Sequence, residues 1–217
     1  MKGLLKNVFY ASVGNAKVLL ALLLVLGAGL CVTGNGALLG GMLLFSAATF
    51  AVAAAAPLRR NGRWDRFLLT LPVRRRCIVQ SQYAGFLALC LLGTALALAF
   101  VGLTVLIHGN LYFYPGMRDF WSMTVFGLFG ALLMGALFYP LHYLLGAERN
   151  EAALLIALIA AVGIIAAYSL AANALSVPDQ MSDRRFYALL ILFAVLTSAA
   201  FGGSYFLSAA LFDHKEC

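Results

Sequence analysis

The sequence predicts an all-α, polytopic membrane protein: six transmembrane helices, an N-terminal amphipathic interfacial helix, and a further helix in a cytoplasmic loop. Three observations carry that reading. The 217 residues are 64% hydrophobic and only 11% charged, whereas soluble domains carry about 25% charged residues. Apolar runs recur along the chain at the length needed to cross hydrocarbon, about 20 residues. Between two of these runs stands one long polar island, residues 57–83, with seven arginines (Arg59, Arg60, Arg63, Arg66, Arg74, Arg75 and Arg76) and a single acid, Asp65.

Residues 1–15 set Leu4, Leu5, Val8, Phe9 and Ser12 against Lys2, Lys6 and Asn7, the pattern of a helix lying in the headgroup layer. The alternative is that they form the first turns of span one; the interfacial reading is preferred. No small-residue cleavage pattern follows, so the start reads as uncleaved rather than as a signal peptide. The spans then fall at 17–33, 37–56, 83–107, 122–145, 152–175 and 186–212. Gly34, Asn35 and Gly36 form a tight turn between the first two. Residues 57–82 are the longest polar connection, and 1–217 is a single transmembrane domain.

Within the polar island, Trp64, Phe67, Leu68 and Leu71 recur at helical spacing, which predicts a short amphipathic helix. Asn61 is placed as its N-cap, with Gly62 and Arg63 entering the first turn. Pro72 ends it by pushing Leu71 out of the helical region. Pro72 can also open the next helix, where its missing N–H does no harm. An exposed apolar face between two spans is a surface for a partner.

Basic residues set the orientation. The N-terminus, the 57–83 loop, the AERNE segment at 147–151 and the C-terminal tail hold twelve of the fifteen lysines and arginines. Arg118, Arg184 and Arg185 lie on the other side. By the positive-inside rule both termini are cytoplasmic. The outer loop carries Tyr112, Phe113, Tyr114, Phe120 and Trp121, an interfacial aromatic belt.

Several classes are disfavoured. The basic residues flank apolar spans rather than lining a polar face, so the net charge of +7 speaks for lipid orientation and not for nucleic acid. No acid falls inside a span, nor does any lysine or arginine beyond the span edges, which disfavours an ion-coupled secondary transporter. His142, about one turn from the end of span four, reads as a packed or interfacial histidine. No phosphate-binding GxxxxGK[ST] pattern is present, so ATP is not hydrolysed by this chain. No His, Cys or acid cluster has metal-ligand spacing, and no nucleophile stands beside a plausible base. Of the four cysteines, Cys31 and Cys90 lie in apolar runs as small hydrophobes, and neither they nor Cys77 and Cys217 show disulfide spacing. The chain is therefore not read as an enzyme. Small residues recur instead in the spans: Gly27 and Gly29, Gly36 and Gly40, Gly127 and Gly130, Ala131 and Gly135, Gly202 and Gly203. They allow close helix approach within one subunit or between two. Pro140, near the end of span four, frees a backbone carbonyl and is a site for a kink.

Three patches resemble a known family. The run from Trp64 to Val73 (WDRFLLTLPV), followed by Ile78, Val79 and Tyr83, is similar to the cytoplasmic loop of small six-span permease subunits of bacterial ABC-2-type ATP-binding-cassette transporters. The run PLHYLLG at 140–146 resembles that family's end of span four, and residues 208–215 resemble its charged C-terminal helix end. Members often carry lysine before the tyrosine that opens span three, where this chain has Gln82. The resemblance implies a half-transporter in the bacterial cell membrane, with two permease copies and two cytoplasmic ATPase subunits that bind the ATP and magnesium. It makes residues 61–71 the coupling helix, with Asn61, Arg63, Trp64, Asp65, Arg66, Phe67, Leu68 and Leu71 at the ATPase interface. Glu148 and Arg149 form a second, smaller contact. It also implies export of amphipathic or antimicrobial-type peptides or other apolar cargo, which suits spans of Ala, Leu, Gly and Phe. The competing reading is a membrane assembly or signalling partner that docks a cytoplasmic protein through the 57–82 loop without moving cargo.

Overall fold

Among the described residues six long helices follow one another: α1 (Lys2–Thr33), α2 (Gly36–Ala55), α3 (Arg75–His108), α4 (Met117–Leu145), α5 (Asn150–Leu175) and α6 (Asp183–Asp213). This computed structural model describes residues 2–33, 36–55, 75–109, 117–146, 149–175 and 182–213. Those residues form no strand. Five of the helices are long and apolar enough to cross a membrane. The apolar part of α1, Lys17–Thr33, is shorter, at the low end of the range that spans hydrocarbon.

Three elements differ from the sequence-based expectation. Residues 2–15 do not form a separate helix: α1 runs unbroken from Lys2 to Thr33. The reason is local. No proline interrupts 2–33, so helical hydrogen bonding continues through the amphipathic stretch into the span. At 1.5 Å per residue α1 is about 48 Å long, longer than the roughly 30 Å of hydrocarbon, so part of it lies beyond the apolar layer. Likewise α3 begins at Arg75 rather than Tyr83, and α4 begins at Met117, taking in Phe120 and Trp121. Tyr112, Phe113 and Tyr114 of the aromatic loop lie outside the described residues, as do Gly34 and Asn35.

The packing centres on α2, α3 and α4. α2 lies against α1, α3 and α4; α4 lies against α2, α3, α5 and α6; α5 packs chiefly on α4. Glycines decide the closest crossings. A Cβ on Gly127 of α4 would stand 2.4 Å from the Leu43 carbonyl oxygen of α2, and one on Gly93 of α3 would stand 2.8 Å from the Ser46 carbonyl oxygen. Only glycine admits such backbone contact. Other glycines receive side chains: Gly27 faces the Phe100 ring, Gly40 faces Met123, Gly130 faces Ile165, and Gly135 faces Phe86 and Phe201. Among the described residues Gly29, Gly202 and Gly203 meet nothing within 4 Å, so three of the small residues singled out in the sequence mediate no close packing there. The core comprises Leu43, Ala47, Phe50 and Ala51 of α2, Val79, Phe86 and Cys90 of α3, and Met134, Phe138 and Tyr139 of α4.

Candidate functional site at the basic end of the bundle

Pro140 lies inside α4. Having no N–H, it leaves the carbonyl of Ala136, one turn earlier, without its helical partner. The Ser204 hydroxyl on α6 donates to that carbonyl at 2.7 Å. A serine hydroxyl has one proton, so the 2.7 Å contact between Tyr83 and Ser204 is donated by Tyr83. The 2.9 Å contact between Tyr83 and Ser208 is then donated by Ser208. The sequence of donors, Ser208 to Tyr83 to Ser204 to the Ala136 carbonyl, ties α3, α4 and α6 together. All three side chains are buried, where an unpaired polar group would cost about 1–3 kcal/mol.

Aromatic rings enclose this chain of hydroxyls. Tyr83 stacks on Tyr139 with centroids 4.3 Å apart, and Phe201 lies 5.0 Å from Tyr83. Phe86 meets Tyr139 edge-on at 5.6 Å. The Tyr139 hydroxyl donates to the Gln82 backbone carbonyl at 3.2 Å, and the Tyr143 hydroxyl donates to Gln82 Oε1. Tyr143 also lies 5.4 Å from Phe212 near the end of α6.

The α4–α5 junction belongs to the same region. Gly146 adopts φ +80°, and its N–H bonds to the His142 carbonyl at 3.0 Å, a left-handed cap that ends α4. Asn150 opens α5, and His142 Nδ1 donates to Asn150 Oδ1 at 2.8 Å. Both side chains are buried, and the His142 ring stacks on Phe138 at 5.7 Å. His142 is thus a packed histidine, as its place in the sequence suggests.

The opposite end is held more lightly. Arg118 at the start of α4 pairs with Asp183 at the start of α6 and lies over the Phe186 ring at 5.6 Å. His108 Nε2 donates to the Cys31 carbonyl at 2.7 Å, and Cys31 Sγ lies 3.6 Å from Thr104 Oγ1, joining α1 to α3.

Asn61, Arg63, Trp64, Asp65, Arg66, Phe67, Leu68 and Leu71 of the expected coupling interface lie outside the described residues, as does Glu148. Arg149 is described: it is exposed, immediately before α5. The structure does bring together the described parts of the three patches that carry the resemblance. Val79 and Tyr83 near the start of α3 and Tyr143 near the end of α4 share one cluster, and Ser208 on α6 bonds to Tyr83 within it. Sequence reasoning missed Ser204, Tyr139 and Asn150. Pro140 signals an orphan carbonyl, but nothing in the sequence says which distant hydroxyl answers it. Among the described residues no group of His, Cys, Asp and Glu could hold a metal ion.

The cluster thus ties α3, α4 and α6 together near the start of α3. A family model described as "ABC-2 family transporter protein" matches residues 3–213, nearly the entire chain. This chain belongs to that family. The ABC-2 chain is accordingly a membrane component of a transporter, a permease subunit that works with a separate ATP-binding subunit. Searches of curated proteins and of solved structures gave no match.

Proposed function

We propose that this ABC-2 chain is the membrane half of an exporter of amphipathic peptides or similar apolar cargo. Two copies form the pathway in the bacterial cell membrane, with both termini cytoplasmic. Two ATPase subunits dock on the amphipathic helix at 61–71, with Glu148 and Arg149 as a smaller second contact. ATP and magnesium are bound by those subunits, and this chain carries no catalytic residue. The observation that carries the coupling reading is continuity: α3 begins at Arg75, at the end of the polar island, and within about two turns reaches Gln82 and Tyr83, which bond to α4 and α6. A push on the loop is thereby delivered to three helices. Apolar cargo fits spans in which no buried Asp, Glu, Lys or Arg stands among the described residues.

The test is co-purification with the ATPase subunit and ATP turnover in liposomes. Trp64→Ala removes the largest apolar anchor of the docking face. It should weaken ATPase binding by about 2 kcal/mol or more while leaving the chain inserted. Amphipathic cationic peptides should raise turnover where sugars and simple ions do not. An intact complex with unchanged turnover in both Trp64→Ala and Asp65→Ala would overturn the docking site.

A further inference from the structure

We infer that the last turn of α4 joins the two loops at the basic end into one moving unit, and that Gln82, Tyr143, His142 and Asn150 are its positioning residues. Tyr143 holds Gln82 Oε1, at the start of the helix that leaves the 57–82 loop. His142, its immediate neighbour, holds Asn150 Oδ1, at the start of α5. Two consecutive residues of one helical turn therefore grip the beginnings of both flanking helices.

The turn cannot yield easily. It is closed below by the Gly146 cap on the His142 carbonyl. Above, it is packed by Phe138 on the His142 ring and by Tyr139 on the Gln82 carbonyl. His142, Tyr143 and Asn150 are all buried, so their bonds are not exchanged freely with water. Displacement of α3 by its loop must drag the end of α4, and with it the end of α5 that carries the exposed Arg149. The Gln82 amide offers the acceptor oxygen that the Tyr143 hydroxyl needs, which an ammonium at this position could not supply. The inference deepens the proposed ATPase docking, since it makes the smaller contact at Arg149 follow the larger one at 61–71.

The experiment has two arms. In the first, spin labels replace the exposed Gln80 and Arg149 in a chain freed of its native cysteines, and the distance distribution between them is read in lipid nanodiscs without any ATPase. The parent should give one narrow distance. Gln82→Met, Tyr143→Phe and Asn150→Leu should each broaden it, whereas Gln82→Glu and Asn150→Asp, which keep the accepting oxygen, should leave it narrow. In the second arm, the full complex with the ATPase subunit is assayed for turnover. Each disruptive variant should keep its ATPase yet lose on the order of two- to tenfold of the permease-dependent turnover, the factor that one buried hydrogen bond represents. Gln82→Met combined with Asn150→Leu should lose no more than the worse single change, because both cut one path. Unchanged distances in all three variants, or losses that multiply in the double variant, would overturn the inference. Tyr143→Phe deletes a single oxygen, so it separates the joint from a failure to fold. If the unaltered chain does not hold the ATPase, the docking reading fails, and the distances alone decide the joint.

Discussion

α4 and α5 are neighbours of similar length with opposite environments. The apolar stretch of α4 has mean hydropathy 1.8 and is 67% buried inside the protein; that of α5 has mean hydropathy 2.5 and is only 17% buried. The more hydrophobic helix is the more exposed one. In water this would be backwards. In a bilayer, lipid tails are as apolar as leucine, and burial is decided by close packing and hydrogen bonding between helices. α4 has the means for both: Gly127 and Gly135 for close approach, and Tyr139, His142 and Tyr143 for polar contacts. Along α5, Leu155, Ile156, Ile159 and Val162 face outward.

Truncation of one large side chain on each helix should separate the two environments most clearly. Phe138 is fully buried, whereas Ile159 is 70% exposed. Phe138→Ala should cost about 3–5 kcal/mol, seen as a large fall in thermal stability in detergent or nanodiscs. Ile159→Ala should cost less than about 1 kcal/mol, because lipid replaces the lost contacts. Equal losses would mean that α5 is buried to the same degree as α4 in the assembled protein.

A smaller effect comes from adding one carbon to each helix. Gly127→Ala drives a Cβ into the α2 backbone, so the helices must separate at a cost of about 1–3 kcal/mol. Gly163→Ala meets nothing within 4 Å and should be tolerated or slightly favourable, since alanine is the better helix former. Thermal unfolding of the two variants side by side gives the answer; a damaging Gly163→Ala would place a packing partner against α5.

The smallest effect belongs to the lightly held end. Arg118 and Asp183 are both substantially solvent-exposed at their side chains, 40% and 71%, so their ion pair is worth roughly 0–1 kcal/mol. Arg118→Gln should barely move the unfolding temperature, and high salt should bring the parent chain to the variant's value. A loss approaching that of Phe138→Ala would show this end to be as firmly built as the basic one.

Much of the fold is legible along the chain because membrane spans declare themselves locally. Length and hydropathy mark out helices at nearly the positions where they occur. What is not legible is pairwise. Gly127 and Gly202 look alike as small residues in apolar runs, yet one touches the backbone of α2 and the other faces open space. Gln82 stands out in sequence only as a departure from a family pattern, and its role appears once Tyr143 lies against it. Asn150 hides inside a polar break that reads as a loop, although its amide is buried. The division at residue 15 fails for another reason: charge patterning reports where a helix sits relative to lipid, not where its hydrogen bonding stops.

The hydroxyl chain that ends on the Ala136 carbonyl has a consequence for the uniqueness of the folded state. A closed ring of hydroxyls can circulate its protons in either direction, and so exists as two arrangements of equal standing. Here the terminus is a carbonyl, which only accepts, so the direction is set from that end and every proton has one place. Pro140 is what makes the terminus available. Alanine at that position would return the Ala136 carbonyl to its own helix and free the Ser204 proton to point elsewhere. One imino acid on α4 thus sets the proton order of tyrosine and serine side chains on two other helices.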